Sequence, residues 1–358
     1  MKQVEQNLVG ENCTEPRAPL VDVIIPSRNG GKLLAEAIES VLCQTMPRFR
    51  LVVVDNNSTD GTPELIRSFS DPRLEIIRHA VTHSLFENIN FCLSVVRAPY
   101  FCLLHADDRL RPDYIECMVT ALKAEPRALL AACQVMTIDG AGRDALNFKY
   151  RLKNRLFLSV RRVIGAGSFS SMVLRSFNFM VAPSLLYRRE VLEKIGCFRD
   201  DMLFFSDLEY LDRGLWRGAR YLIVPRILFE YRLHGEQETS SLTRNLFKYK
   251  ETLKYFSELV EADSGQPNRR RLPGVAAEAR VALVVLWDYM NSEGQSSGEH
   301  RAKAVRYLLE TPILAKCIWL WRLLDRAIKW PKSVRRVICS GIMVCLLLPV
   351  IGYCLVWQ

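Results

Sequence analysis

The chain has 358 residues, a formal net charge of +10 and an apolar fraction of 49%, enough length and apolar content for a substantial core and against global disorder. The basic balance points to an anionic partner, yet zinc-finger spacing, an RNA-recognition signature and a Walker-type phosphate loop are all missing, so nucleic acid is not the expected one. Eleven cysteines, an odd number with no CxxC pair, sit mostly in apolar runs such as Phe91-Cys92-Leu93 and read as reduced core residues of a cytosolic compartment.

Residues 1–19 are charged, lack the apolar region of a signal peptide, and are expected to form a loose tail. Val21 to Ile25 is a short β-branched run closed by Pro26, and after a turn over Ser27 to Gly31 the apolar positions Leu33, Leu34, Ala37, Ile38, Val41 and Leu42 recur at helical spacing. A second strand, Leu51 to Val54, ends at Asp55; the turn through Asn56 and Asn57 to Gly61 leads into a helix over Pro63 to Phe69. The pattern continues with a strand at Leu74 to Ile77, a helix from Ser84 to Val96, a strand at Tyr100 to Leu104 and a helix from Pro112 to Glu125. Such alternation predicts an α/β fold built on a doubly wound, mostly parallel sheet flanked by helices.

In such sheets ligands bind beyond the carboxyl ends of the strands. Pro26 to Asn29, Asp55 to Asn57, and Asp107 with Asp108 all fall there. The last two are adjacent carboxylates, which repel unless solvent, a cation or a basic group neutralises them.

The runs Ile25-Pro-Ser-Arg-Asn-Gly30, Ser40-Val-Leu-Cys-Gln44, Val53-Val-Asp-Asn-Asn-Ser-Thr-Asp-Gly61 and Leu104-His-Ala-Asp-Asp108 closely resemble family 2 glycosyltransferases of the GT-A fold, in order, spacing and strand context. The resemblance implies that Asp55 holds the base of a nucleoside diphosphate sugar, with Pro26, Ser27, Asn29 and Asn57 in the same pocket. It implies that Asp107 holds the ribose and a divalent metal, manganese or magnesium, on the diphosphate. The family's usual Asp-x-Asp begins here with His105, an imidazole that suits the same metals. Similarity returns at Pro183 to Gly196 and Phe205 to Gly214, where the family places Glu-Asp at a helix start and uses its aspartate as catalytic base; this chain has Ser206-Asp207, so Asp207 is the expected base, with Glu209 and Asp212 as competitors. A carboxylate in that role takes the acceptor hydroxyl's proton on the face opposite the leaving group, giving inversion. Tyr231-Arg-Leu-His234 closes the similarity, and Arg232 and His234 are expected at the diphosphate, His234 also as a further metal candidate. The processive members' Gln-x-x-Arg-Trp motif is missing, so one sugar per encounter is expected.

The domain plan is a tail (1–19), a glycosyltransferase domain (20–240, nucleotide-sugar half to about 127, acceptor half from about 128), a helical extension (241–330) and an anchoring segment (331–358). Within the acceptor half, Lys149, Arg151, Lys153, Arg155, Arg161 and Arg162 interleave with apolar residues in an amphipathic basic stretch. Val337 to Trp357 is uncharged and about the roughly 20 residues a spanning helix needs. Arginines and lysines just before it predict a terminal membrane helix with the catalytic body on the cytoplasmic face of the plasma membrane. The expected acceptor is therefore membrane-associated, a polyprenyl-linked saccharide or polysaccharide precursor. Two other readings remain open: a catalytically silent nucleotide-sugar-binding or scaffolding protein, and a nucleotidyltransferase.

Overall fold

The central strand, β1 (Val21–Ser27), is buried from Val21 to Ile25 and alternates its side chains between two apolar clusters: Val21, Val23 and Ile25 on one face of the sheet, Ile24 on the other. In the computed structural model, which describes residues 18–165, 174, 178–203, 205–234, 251, 254, 255 and 258, β1 is followed by α1 (Gly31–Leu42), which buries Leu34, Ala37, Ile38 and Val41 at the spacing read from the sequence. β2 (Phe49–Asp55), α2 (Thr62–Arg67), β3 (Leu74–Arg78), α3 (Leu85–Ser94) and β4 (Tyr100–Leu103) complete the parallel half. Ser84 starts α3 because its hydroxyl accepts from Glu87 N while the Glu87 carboxylate accepts from Ser84 N, a reciprocal cap.

β2 and β4 flank β1, both parallel to it, and β3 lies outside β2. The chain therefore moves outward from β1 to β3 and returns to the other side of β1, which opens a crevice between the carboxyl ends of β1 and β4.

Beyond β4 the expected mostly parallel sheet is corrected to a mixed one. β5 (Arg109–Leu110), α4 (Tyr114–Ala124), β6 (Leu130–Ile138), α5 (Phe148–Ser159), β7 (Val163–Ile164), β8 (Leu185–Arg188), α6 (Glu190–Lys194), α7 (Ser206–Trp216) and β9 (Tyr221–Arg232) follow, and the sheet order is β3-β2-β1-β4-β8-β6-β9-β5, with β7 also on β9. β8 runs antiparallel to both β4 and β6, and β5 and β7 antiparallel to β9; only β6 and β9 pair in parallel here. β4 is buried throughout and β8 nearly so, and a strand covered on both faces reads as an unbroken apolar run whichever way it points. Direction is thus not encoded in the pattern.

α1 and α4 cover one face through Leu34, Ile38, Ile115 and Met118, and α3 and α7 the other through Cys92, Leu93, Leu208 and Leu215. Each such aliphatic side chain contributes about 1.5–3 kcal/mol by leaving water. Among the described residues no helix is long and apolar enough to cross a membrane; the predicted anchor and nearly all of the helical extension lie outside the described residues.

Candidate active site

Asp55 ends β2 fully buried, its Oδ1 accepting from Ser58 N at 3.0 Å and its Oδ2 lying 3.4 Å from Arg78 Nε with no hydrogen-bond donor. Ser27, at the matching end of β1, also buries a hydroxyl without a partner. The turns after the two strands lock together: Asn29 N donates to Ser58 Oγ and Asn29 Oδ1 accepts from Thr59 N, both at 2.9 Å. Asn29 and Asn57 have φ of 53° and 57°, a left-handed conformation that asparagine tolerates better than most residues. Asn57 and Asn56 reach the loop after β3 through Thr82 and His83. Pro26, Ser27, Asn29, Asp55 and Asn57 are thereby gathered around one end of the crevice, with Ser27 Oγ and Asp55 Oδ2 buried there without a hydrogen bond.

At the end of β4, His105, Asp107 and Asp108 bring ligand atoms within 4.8 Å of one another. Asp108 is fully buried; its Oδ1 accepts from Arg232 N at 2.8 Å, while its Oδ2 has no hydrogen bond and lies 3.9 Å from His105 Nδ1. Burial, and secondarily the Asp107 charge, hold the Asp108 carboxyl well above the usual carboxylate range. Asp107 is half-buried and pairs with His234 Nε2 at 2.9 Å. Desolvation lowers the pKa of His105 against the opposing pull of Asp107 and Asp207, which favours the neutral, ligating imidazole even though the side chain is 49% exposed. A divalent cation fits this donor set: an orphaned buried carboxylate oxygen, a second carboxylate and a neutral imidazole share one small space.

The antiparallel pairing of β5 with β9, Arg109 opposite Glu230, brings the His105–Asp108 loop against the end of β9. Arg232, expected at the diphosphate, is fully buried instead: its Nε donates to Asp107 O at 2.7 Å, its Nη1 to Asp139 O and Gly140 O, and its Nη2 to Glu36 at 2.6 Å. The guanidinium braces the acidic loop from behind. Sequence reading missed Glu36, 196 positions from Arg232, because a helix-face acid four residues after Lys32 looks like any solvated one.

Asp207 stands in the first turn of α7, with Asn178 Nδ2 donating to its Oδ2 at 3.2 Å and Leu208 N to its Oδ1 at 2.7 Å. Its charge opposes the lowering of the His105 pKa and adds to the raising of Tyr150 and Tyr187, so the start of α7 lies within electrostatic reach of the β4 loop. The competing acids are committed elsewhere: Glu209 forms a bidentate pair with Arg213 at 2.8 and 3.0 Å, and Asp212 accepts from Trp216 Nε1 at 3.1 Å and Tyr255 OH at 2.7 Å. The described residues therefore present buried polar atoms at the ends of β1 and β2, a cation-suited acidic cluster at the end of β4 and a separate carboxylate at the start of α7.

Residues 22–196 match the family model described as Glycosyl transferase family 2. Among curated proteins, the succinoglycan biosynthesis protein ExoO of Rhizobium meliloti is 24% identical over 263 residues, 73% of this chain and 71% of its own. Among solved structures, S. aureus TarS in complex with UDP-GlcNAc superposes with a TM-score of 0.60 at 14% identity, covering 81% of this chain and 80% of that one. The mannosyltransferase PcManGT from Pyrobaculum calidifontis, in complex with GDP-Man and Mn2+, gives a TM-score of 0.56 at 17% identity over 94% and 88% of the two chains. The two structural likenesses concern the fold.

Proposed function

The chain is a family 2 glycosyltransferase, and from that premise we propose that it moves one sugar per encounter, with inversion, from a nucleoside diphosphate sugar to a membrane-associated saccharide or polyprenyl-linked acceptor. The observation that carries this reading is the His105–Asp107–Asp108 cluster at the end of β4, a donor set suited to a divalent cation, in a chain whose residues 22–196 match the family model. Ser27 Oγ, buried without a hydrogen bond, and Asp55 Oδ2, buried and ion-paired to Arg78 but likewise without a hydrogen bond, take the polar edge of the nucleotide. Asp107, Asp108 and His105 would hold a manganese or magnesium ion, whose charge would offset that of the leaving diphosphate. His234, paired with Asp107, adds a donor on the diphosphate side; Arg232 supports the loop.

Asp207 accepts the proton of the acceptor hydroxyl as its oxygen bonds to the anomeric carbon, and the anomeric carbon–oxygen bond breaks with its electron pair leaving on the diphosphate. Support for the donor class comes from the nucleotide sugars bound by the structural neighbours TarS and PcManGT. The name of the succinoglycan protein and the uncharged stretch from Val337 to Trp357 support a polysaccharide-type acceptor at the cytoplasmic membrane face.

A panel of nucleotide sugars with manganese tests the reading through release of free nucleoside diphosphate. Asp207→Asn is expected to lower turnover at least a hundredfold with donor KM kept within threefold, the range of effect of a removed general base being roughly 10²–10⁴. Asp107→Ala is expected to remove the metal dependence of donor binding. Wild-type turnover in Asp207→Asn, or no binding of any donor by the wild-type chain, rejects the assignment. For the anchor, chain ended before Lys329 should leave the membrane fraction.

A further inference from the structure

Helix α7, whose first turn carries Asp207, begins without a cap of its own. Its N-cap residue is Phe205, whose side chain offers no hydrogen-bond acceptor. The acceptor comes instead from far along the chain: the buried Glu251 takes Leu203 N on Oε1 at 2.7 Å and Phe205 N on Oε2 at 3.2 Å. Glu251, Lys254, Tyr255 and Glu258 are helical and spaced to share one face, and each meets the segment that runs from Arg199 into α7. Tyr255 stacks on Phe205 with ring centroids 5.8 Å apart and donates to Asp212 on α7 at 2.7 Å, while Lys254 pairs with Asp201 and Glu258 with Arg199. The two buried ties thus fall on either side of Asp207, at Phe205 and at Asp212.

We propose that Glu251 is a positioning residue for Asp207: by holding the backbone of Leu203 and Phe205 it fixes where α7 starts, and so where the first-turn carboxylate stands relative to the acidic loop after β4. The inference rests on the base role given to Asp207 above. A helix whose first N–H groups lack an acceptor frays from that end, and a carboxylate there is also favoured by the helix dipole. Glu251 and Tyr255 are 7% and 3% exposed, so theirs are the bonds made in place of water, whereas the pairs of Lys254 and Glu258 lie at the exposed rim. A displacement of about 1 Å at a reacting group can cost about a hundredfold in rate. The residues proposed for donor and metal lie on other elements, at the ends of β1, β2 and β4.

The test uses the full chain with manganese. It follows nucleoside diphosphate release from UDP-GlcNAc or GDP-mannose, whichever the wild-type chain turns over, alongside hydrogen exchange of the amides from Leu203 to Tyr210. Glu251→Gln keeps one acceptor oxygen and Glu251→Ala keeps neither. Turnover is expected to fall about tenfold or more in Glu251→Ala and less in Glu251→Gln, with donor KM within about threefold of wild type. Exchange over the first turn of α7 is expected to quicken in the same order while that of β1 stays unchanged. Glu258→Ala, which opens the pair to Arg199 at the exposed rim, is expected to keep wild-type turnover. Each variant is read below its own thermal midpoint, and if Glu251→Ala does not fold, Glu251→Gln decides. A lowered midpoint with wild-type turnover, a rise in KM alone, unchanged exchange at α7, or an equal loss in Glu258→Ala overturns the inference. Asp207→Asn separates the two levels: wild-type turnover there defeats the base reading, whereas inactivity there with wild-type turnover in Glu251→Ala defeats only the role of Glu251.

Discussion

Replacing Glu36 by alanine removes the carboxylate that faces the buried Arg232 guanidinium at 2.6 Å. Arg232 is fully buried and Glu36 is 22% exposed, so the pair lies near the low end of the roughly 3–5 kcal/mol that follows when one member of a buried ion pair is deleted, about 3 kcal/mol. At roughly 2–4 °C per kcal/mol for a unit of this size, the thermal midpoint of the catalytic domain should fall by about 6–12 °C. Arg109, 3.6 Å from Glu36 and paired with Glu230 at 2.8 Å, has an alternative partner and limits the damage to Arg232. The same guanidinium supports the Asp107 carbonyl, so the metal concentration for half-maximal donor binding should rise together with the loss of stability. Differential scanning fluorimetry and a manganese titration read both quantities, with Glu36→Gln as the milder variant that keeps a hydrogen-bonding oxygen. A midpoint within 2 °C of wild type, or a large drop with an unchanged metal requirement, refutes the bracing role.

Arg50 presents a second buried arrangement: its bidentate bond to the fully buried Asp22, both contacts at 2.9 Å, joins β1 to β2 while Asp22 also accepts from Arg97 N and Ala98 N. Arg50→Met should cost about 3–5 kcal/mol in denaturant unfolding, and a loss under 1 kcal/mol would contradict the pairing. Burial pushes the thiols of Cys92 and Cys133 up to about 12, so at pH 8 the native protein should alkylate at the exposed Cys43 and Cys197 and leave those two intact, as peptide mapping would reveal. Arg199 and Lys254 hold the Asp201 carboxyl far below its ordinary range. A depressed folded pKa gives stability that is present above the unfolded value and lost as pH falls toward the folded one. Asp201→Asn should therefore lower the thermal midpoint at pH 7 and cease to matter in strong acid; an equal difference at both ends would exclude the linkage.

The parallel half was legible because each of its elements carries a local signal: β-branched runs, a helical repeat from Leu34 to Val41, the Ser84 cap, and polar residues where strands end. The acidic loop and Asp207 were legible as motifs for the same reason. What the sequence concealed depends on partners far along the chain. β6 lay unread between the helix expected to end at Glu125 and the basic stretch that begins at Lys149, and β8 and β9 were visible as segments without a direction. Arg232 read as a ligand because an arginine near a site resembles one until its burial is known. Glu36 carries no local mark at all: it matters through a side chain 196 residues away.

The sheet runs without interruption from β3 through β2, β1, β4, β8 and β6 to β9. The residues proposed for the base, the metal and the proton transfer are thus mounted around a single hydrogen-bonded ladder, and on that proposal the spacing between leaving group and proton acceptor is set by strand separation and twist. Loops at its rim can diverge to fit other acceptors while that spacing stays constant, so a change of acceptor and a change of reaction geometry are separable events in the history of such a chain.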